Sequence, residues 1–375
     1  MKTLKRAFLI VLSALIFLPA GLAFADNETD EYIKNTDKAL SDVLPDEAQK
    51  YLSENDISLE NAENVNKLSA SYWFSLIKDL MLDNIKSPIK LLGEILIAVL
   101  SLALIKSLLD DDSETMSLLG VIGTLITVGI LYTSLADCIT LVTDTITGAS
   151  VFMYSYVPIF SSILAAGGSS SSGISYYVII LAVCELIGFF VKNLLVPFLG
   201  FTIAVSIAEA INPSILGFNL SGALKNISIW ILGLIATVFI GVISVQGIMG
   251  TAADSLGLRT VKFAASSLIP IVGGAMSDAY STFSGSISFL RSGVGAVGIA
   301  VILFTVLSPV ITVLCLKIVF SICKGLSTFF GQPSIAGLLG GVNSVLTIIL
   351  GVLACFTVVF IIATAVMMLI SMNMV

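Results

Sequence analysis

The sequence predicts an all-α fold: a polytopic integral membrane protein of six to eight transmembrane helices, behind a signal peptide and a small helical extracytoplasmic segment. Two observations carry that prediction. Of 375 residues, 57% are hydrophobic and only 11% charged, where a soluble globular domain carries about 25% charged residues. From residue 89 onward, apolar runs recur with the length of roughly 20 residues that a helix needs to cross a bilayer. The mean hydropathy of +1.06 and thirty glycines fit helices that pack closely in lipid.

The first element is a secretory signal pattern over residues 1–25. Lys2, Lys5 and Arg6 precede a short apolar run from Ala7 to Leu18, and Ala23-Phe24-Ala25 supplies the small-x-small cleavage pattern. Residue 26 onward is therefore expected outside the cytoplasm.

Residues 26–86 form the acidic extracytoplasmic segment, with fourteen acids against six lysines. A loose apolar stripe through Tyr32, Ile33, Ala39, Leu40, Val43 and Leu44 stops at Pro45. A second helix can start at Asp46-Glu47, whose acids suit a helix N-terminus. A third is expected from Ser71 through Trp73, Phe74, Ile77, Leu80, Met81 and Ile85, spaced by three and four. So few apolar positions make a marginal core, and the segment is expected to lean on the membrane or the helical body. Tyr72 and Trp73 suit an interfacial belt ahead of the first span.

Residues 87–375 form the membrane domain. Its apolar runs are Leu91–Leu109, Met116–Ala136, Tyr176–Ile211, Ile227–Met249, Val294–Ile322 and Val342–Ile370. The third and fifth exceed one straight span and contain Pro197 and Pro309, so kinked helices or tight hairpins are expected there. Ile139–Ala166 and Ala264–Leu290 are helix-compatible but rich in Ser, Thr, Gly and Ala, as buried, re-entrant or surface-lying helices are. Orientation is weakly signalled: Asp110-Asp111-Asp112 and Glu114 follow the first span on the side where lysines are the rule.

The prolines carry an internal pattern. Pro158 and Pro197 stand 39 residues apart, as do Pro270 and Pro309. Asn212-Pro213-Ser214-Ile215 matches Gln332-Pro333-Ser334-Ile335, and each is followed by an apolar helix. A duplication of roughly 150–250 onto 262–370 is expected, of the kind that builds a pathway between two halves of a membrane protein.

Chemistry is constrained by what the chain lacks. It contains no histidine, which removes Ser-His-Asp, Cys-His and HExxH arrangements. Cys138, Cys184, Cys315, Cys323 and Cys355 lie in apolar runs and read as small buried hydrophobes. No cofactor is implied. An acidic balance of −7 without a basic stripe excludes nucleic acid as a partner. Charges inside apolar runs are functional candidates by default: Glu185 and Lys192 lie two turns apart on one face. Glu209, Lys317 and Lys324 lie near span ends, where snorkelling accounts for them. Asp254, Arg259, Lys262, Asp278 and Arg291 stud a small-residue linker suited to close helix packing or to a conduit wall.

That linker resembles the stage III sporulation protein AE family of endospore-forming bacteria. The likeness lies in Ala253-Asp254-Ser255, Leu258-Arg259-Thr260, Lys262-Phe263-Ala264, Pro270-x-x-Gly273 and Ser277-Asp278-Ala279. The resemblance implies a multi-pass protein of the mother-cell membrane around the forespore. It implies membership of a channel or secretion-like complex with other proteins of the stage III sporulation operon, ring-forming subunits and an ATPase, and no enzymatic activity of its own. A self-sufficient secondary transporter and a purely scaffolding subunit are the alternatives that the sequence leaves open.

Overall fold

The computed structural model describes residues 37–38, 40–59, 61–108, 113–166, 170–212, 219–268 and 273–372. The signal pattern, the Tyr32–Ile33 stripe, the Asp110–Asp112 cluster, Pro213 and Pro270 lie outside the described residues. The described residues are helical and contain no strand. Helix α1 is Asp46–Glu54, α2 Asn64–Lys67, α3 Ala70–Asn84, α4 Lys86–Leu108 and α5 Ser113–Ala166; α6 is Ser170–Phe190. A π-helical turn, Val191–Leu195, leads into α7, Val196–Ile211; then come α8 Leu220–Leu268, α9 Gly273–Phe329 and α10 Pro333–Met372.

The short helices begin where local chemistry starts them. Asp46 and Glu47 occupy the first turn of α1, next to the unpaired N–H groups and positive end of the helix dipole. Ser69 caps α3, its hydroxyl accepting from Tyr72 N–H at 3.3 Å.

Among the described residues, six helical runs are long and apolar enough to cross a membrane: Lys86–Leu108, Thr115–Ala165, Ser171–Ile211, Leu220–Gln246, Ser292–Phe329 and Pro333–Val366. Several outrun a bilayer. At 1.5 Å per residue α9 is about 85 Å long, against a hydrocarbon core of about 30 Å. Exposed large apolar side chains run from Ile89 to Leu108 on α4, Ile227 to Val245 on α8 and Leu314 to Phe329 on α9. The stretches on α4 and α8 are roughly one bilayer core high, and that on α9 about three quarters of it. On α5 and α6 the exposed apolar face continues further, through Val151, Tyr154, Ile174 and Val178.

One expectation about individual runs needs correction, and another is narrowed to one of its alternatives. Ile139–Ala166 is no separate re-entrant helix but the continuation of α5. The long third and fifth runs are not hairpins. Pro309 sits inside continuous α9, and Pro197 follows the π turn. A proline ring crowds the carbonyl four residues back and gives it no N–H; the wider π turn, which ends just ahead of Pro197, accommodates that locally. Asn193 Nδ2, inside the turn, donates to Phe189 O at 3.0 Å.

Helices α9 and α10 form the centre of the bundle, and their spans are the most deeply buried. Around them, directions follow from contacts. Ser206 and Ala210 of α7 meet Gly341 and Gly337 of α10, so these two run antiparallel. Cys355 Sγ of α10 lies 3.5 Å from Leu232 O of α8, while Lys225 shares a cavity with Ser344 and Thr347; α8 therefore runs parallel to α10. Helix α9 is antiparallel to α10, as Asn343–Ser321 and Lys317–Thr347 contacts require. The pairs α7–α8 and α9–α10 are thus two hairpins side by side, pointing the same way.

The acidic segment docks on α9. Phe304, fully buried, lies between the rings of Tyr51 and Trp73, each 5.3 Å away. Asn84 Oδ1 accepts from Thr312 Oγ1 at 2.9 Å, and Ala62 faces Gly293. Tyr72 OH accepts from Asn55 Nδ2 at 2.6 Å and thereby ties α3 to the end of α1. The segment's few apolar residues are therefore completed by the long helix, and Trp73 packs against protein.

Candidate functional site

The two hairpin turns come together at one end of the bundle. The α9–α10 turn closes by helix C-capping. Gln332 N–H donates to Ser327 O at 2.8 Å and Gly331 N–H to Thr328 O at 3.1 Å. Gly331 takes the left-handed conformation, φ +67°, that this motif reserves for glycine. Pro333 then opens α10, where its missing N–H costs nothing. Lys106 from the end of α4 donates to Gly331 O at 3.3 Å.

The other turn is held by its own acid. Glu209, near the end of α7, accepts from Leu220 N–H and from Ser221 N–H, the donors that the start of α8 leaves open. Asn219 adds a second cap, its Oδ1 accepting from Gly222 N–H at 2.7 Å.

Between the turns lies a cavity of about 790 Å³. Lys225 enters it from α8, Lys317 and Lys324 from α9, with Asn343, Ser344 and Thr347 from α10. Three of the nine basic residues beyond residue 86 thus face one space. Lys317 stands twelve residues before Phe329, about 18 Å inside the helix end. Its ammonium donates to Thr347 Oγ1, so the snorkelling expectation is wrong for this residue: the charge turns into the protein. Charge at that depth is expensive unless partnered. Among the described residues the ion pairs are Lys67–Glu63, Lys86–Asp83 and Lys90–Glu94, and none engages a cavity lysine.

The residues singled out in the sequence lie elsewhere. Glu185 is exposed on α6 and faces the Tyr154 hydroxyl of α5. Lys192 falls in the π turn. Asp254, Arg259 and Lys262 lie far along α8, Asp278 in the second turn of α9 and Arg291 about a third of the way along it. From Leu220 to Asp254 is roughly 50 Å of helix, so this group sits well away from the cavity. The side chains of Lys192 and of residues 247–291 lie outside the described residues. What sequence reasoning missed was the convergence of Lys225, Lys317 and Lys324. The available signal was depth, since Lys317 lies sixteen residues ahead of Pro333. Among the described residues no group of three Cys, Asp or Glu is placed to hold a metal ion.

Six membrane-length helical runs, four of them around the buried hairpin that the other two form, with lysine side chains turned inward, define a polytopic helical membrane protein. Comparison with known families makes the assignment narrower: the model of the stage III sporulation protein AE family matches residues 54–371, and the chain belongs to that family. It is 27% identical over 218 residues to "Stage III sporulation protein AE" of Bacillus subtilis (strain 168), covering 58% of this chain and 55% of that protein. The match thus spans little more than half the length of that curated relative. No solved structure matches.

Proposed function

We propose that this chain is a membrane-embedded subunit of a channel or secretion-like complex linking mother cell and forespore, forming or scaffolding its membrane part. The observation that carries the reading is the family match across 54–371, which starts at the last residue of α1 and takes in α2, α3 and the helical body. The two same-facing hairpins around a charged cavity support a conduit or scaffold architecture built from a duplicated unit. In this reading the protein sits in the mother-cell membrane around the forespore, with the acidic segment outside the cytoplasm. Lys106, Lys225 and Lys324 then mark the cytoplasmic end, as the positive-inside bias asks. Its partners are the other stage III operon membrane proteins, ring-forming subunits and an ATPase, and it carries out no reaction itself.

Deletion in the native host tests this. Development is expected to stop after engulfment, with heat-resistant spore counts restored by the wild-type gene; a normal spore yield from the deletion removes the proposal. The charged cavity favours one other reading, a self-sufficient secondary transporter. Purified chain alone in liposomes separates the two, because only a transporter moves solute down an ion gradient without partner subunits.

A further inference from the structure

The basic cavity has an unmet electrostatic requirement. Lys225 and Lys317 repel one another, and Lys324 lies over Gly340 on the same rim. The carboxylate in the lining, Glu209, already accepts two backbone N–H bonds at the start of α8. Three ammonium groups from two helices therefore share a half-enclosed space without a paired anion among the described residues.

The neighbouring groups can also serve an anion. The first turn of α10, from Pro333 to Ala336, lines the cavity with the positive end of its helix. Asn343 reaches Ser321 Oγ through Nδ2 at 2.9 Å, while its Oδ1 is buried without a partner. Rotating that amide by half a turn makes Ser321 its donor and aims the NH₂ the other way, and the two assignments are equivalent by shape. A space of about 790 Å³ far exceeds a halide ion. Lysines converging from separate helices act as point charges around a multi-oxygen anion, and basic pockets between membrane helices at a bilayer surface take phosphorylated headgroups.

We infer that this cavity binds a phosphate-bearing anion, held by Lys225, Lys317 and Lys324 between the two hairpin turns. The inference rests on the cavity itself and stands whether or not the sporulation-channel reading does.

The test uses the full chain in nanodiscs of phosphatidylcholine, with and without one fifth phosphatidylglycerol, and separately with inorganic phosphate or glycerol 3-phosphate. Apparent Tm and bound lipid by native mass spectrometry are read. Wild type is expected to gain several degrees with one of these probes, and each single Lys→Ala change to weaken apparent affinity about fivefold. Lys317→Arg should retain most of the effect. Lys324→Ala, on the exposed rim, serves where Lys317→Ala fails to fold. A response to phosphatidylglycerol alone assigns a lipid headgroup; a response to the soluble phosphates in neutral lipid assigns a solute. No response to any probe, or variants that respond like wild type, overturns the inference.

Discussion

Gly341 of α10 stands so close to Ser206 of α7 that a β-carbon built on it would lie 2.3 Å from the Ser206 hydroxyl oxygen. One turn away Gly337 meets Ala210, so small residues spaced by four face each other on both helices, the pattern that lets membrane helices approach. Gly341→Ala is expected to destabilise the bundle by about 1–3 kcal/mol through overpacking. Ser206→Gly in the same chain should recover most of that loss. Unfolding in detergent by SDS titration measures both, and failure of the second change to compensate would show that the contact does not set the helix distance.

Phe304 anchors the acidic segment to the body, stacked between Tyr51 and Trp73. Removing a fully buried ring from such a site costs about 3–5 kcal/mol, shared here between α9 and the docked helices. Phe304→Ala should therefore free the segment before it unfolds the bundle. In a Trp230→Phe background Trp73 is the remaining tryptophan, and its emission should shift to the red. Protease cleavage between α1 and α3 should rise with it, and unchanged emission would count against the anchor.

How far the fold could be read from the sequence differs by element. Spans followed from length and hydropathy. The continuity of α5 beyond Ala136 was not legible, because its Ser and Thr content suggested a break. Those hydroxyls instead bond back along the helix: Thr143 to Ile139 O at 2.8 Å, Thr147 to Thr143 O at 2.8 Å and Ser150 to Ile146 O at 2.8 Å. Polar side chains satisfied in this way do not end a helix. The cavity was illegible for another reason. Lys225 and Lys317 are distant in sequence, and only the hairpin directions bring them together.

Glu47 should make the docking of α1 sensitive to pH. It packs at α9, where Ser308 hydrogen-bonds it. Burial pushes its carboxyl pKa above the ordinary value of 4.5, Asp46 adds to the rise and the Ser308 hydrogen bond opposes it. A carboxyl raised on folding holds its proton more tightly in the native state, so its contribution is fully present below the ordinary value. That contribution is lost as pH climbs from there through the raised folded value. Docking, followed by Trp73 emission during urea titration, is expected to weaken over that interval. Glu47→Gln should flatten the dependence; an equal slope in the variant would assign it to another group.

The end of the bundle that holds the basic cavity should face the mother-cell cytoplasm, and the docked acidic segment the opposite side. Lys67 and Ser107 are exposed near the two ends, with Lys67 ahead of α4 and Ser107 in its last turn. The five native cysteines are buried or half-buried and give little background with a charged maleimide. Lys67→Cys in intact spheroplasts is expected to label from outside, and Ser107→Cys only after the membrane is opened. From Lys86 to Ser107, α4 is about 32 Å long, which matches the hydrocarbon thickness of roughly 30 Å, so a single crossing separates the two sites. Labelling of both positions from the same side would place α4 within the membrane plane and reverse the assignment of the basic end. The reciprocal pattern, with Ser107→Cys reactive from outside, would keep the six-span body but turn it over, moving the cavity lysines to the outer surface against the positive-inside bias.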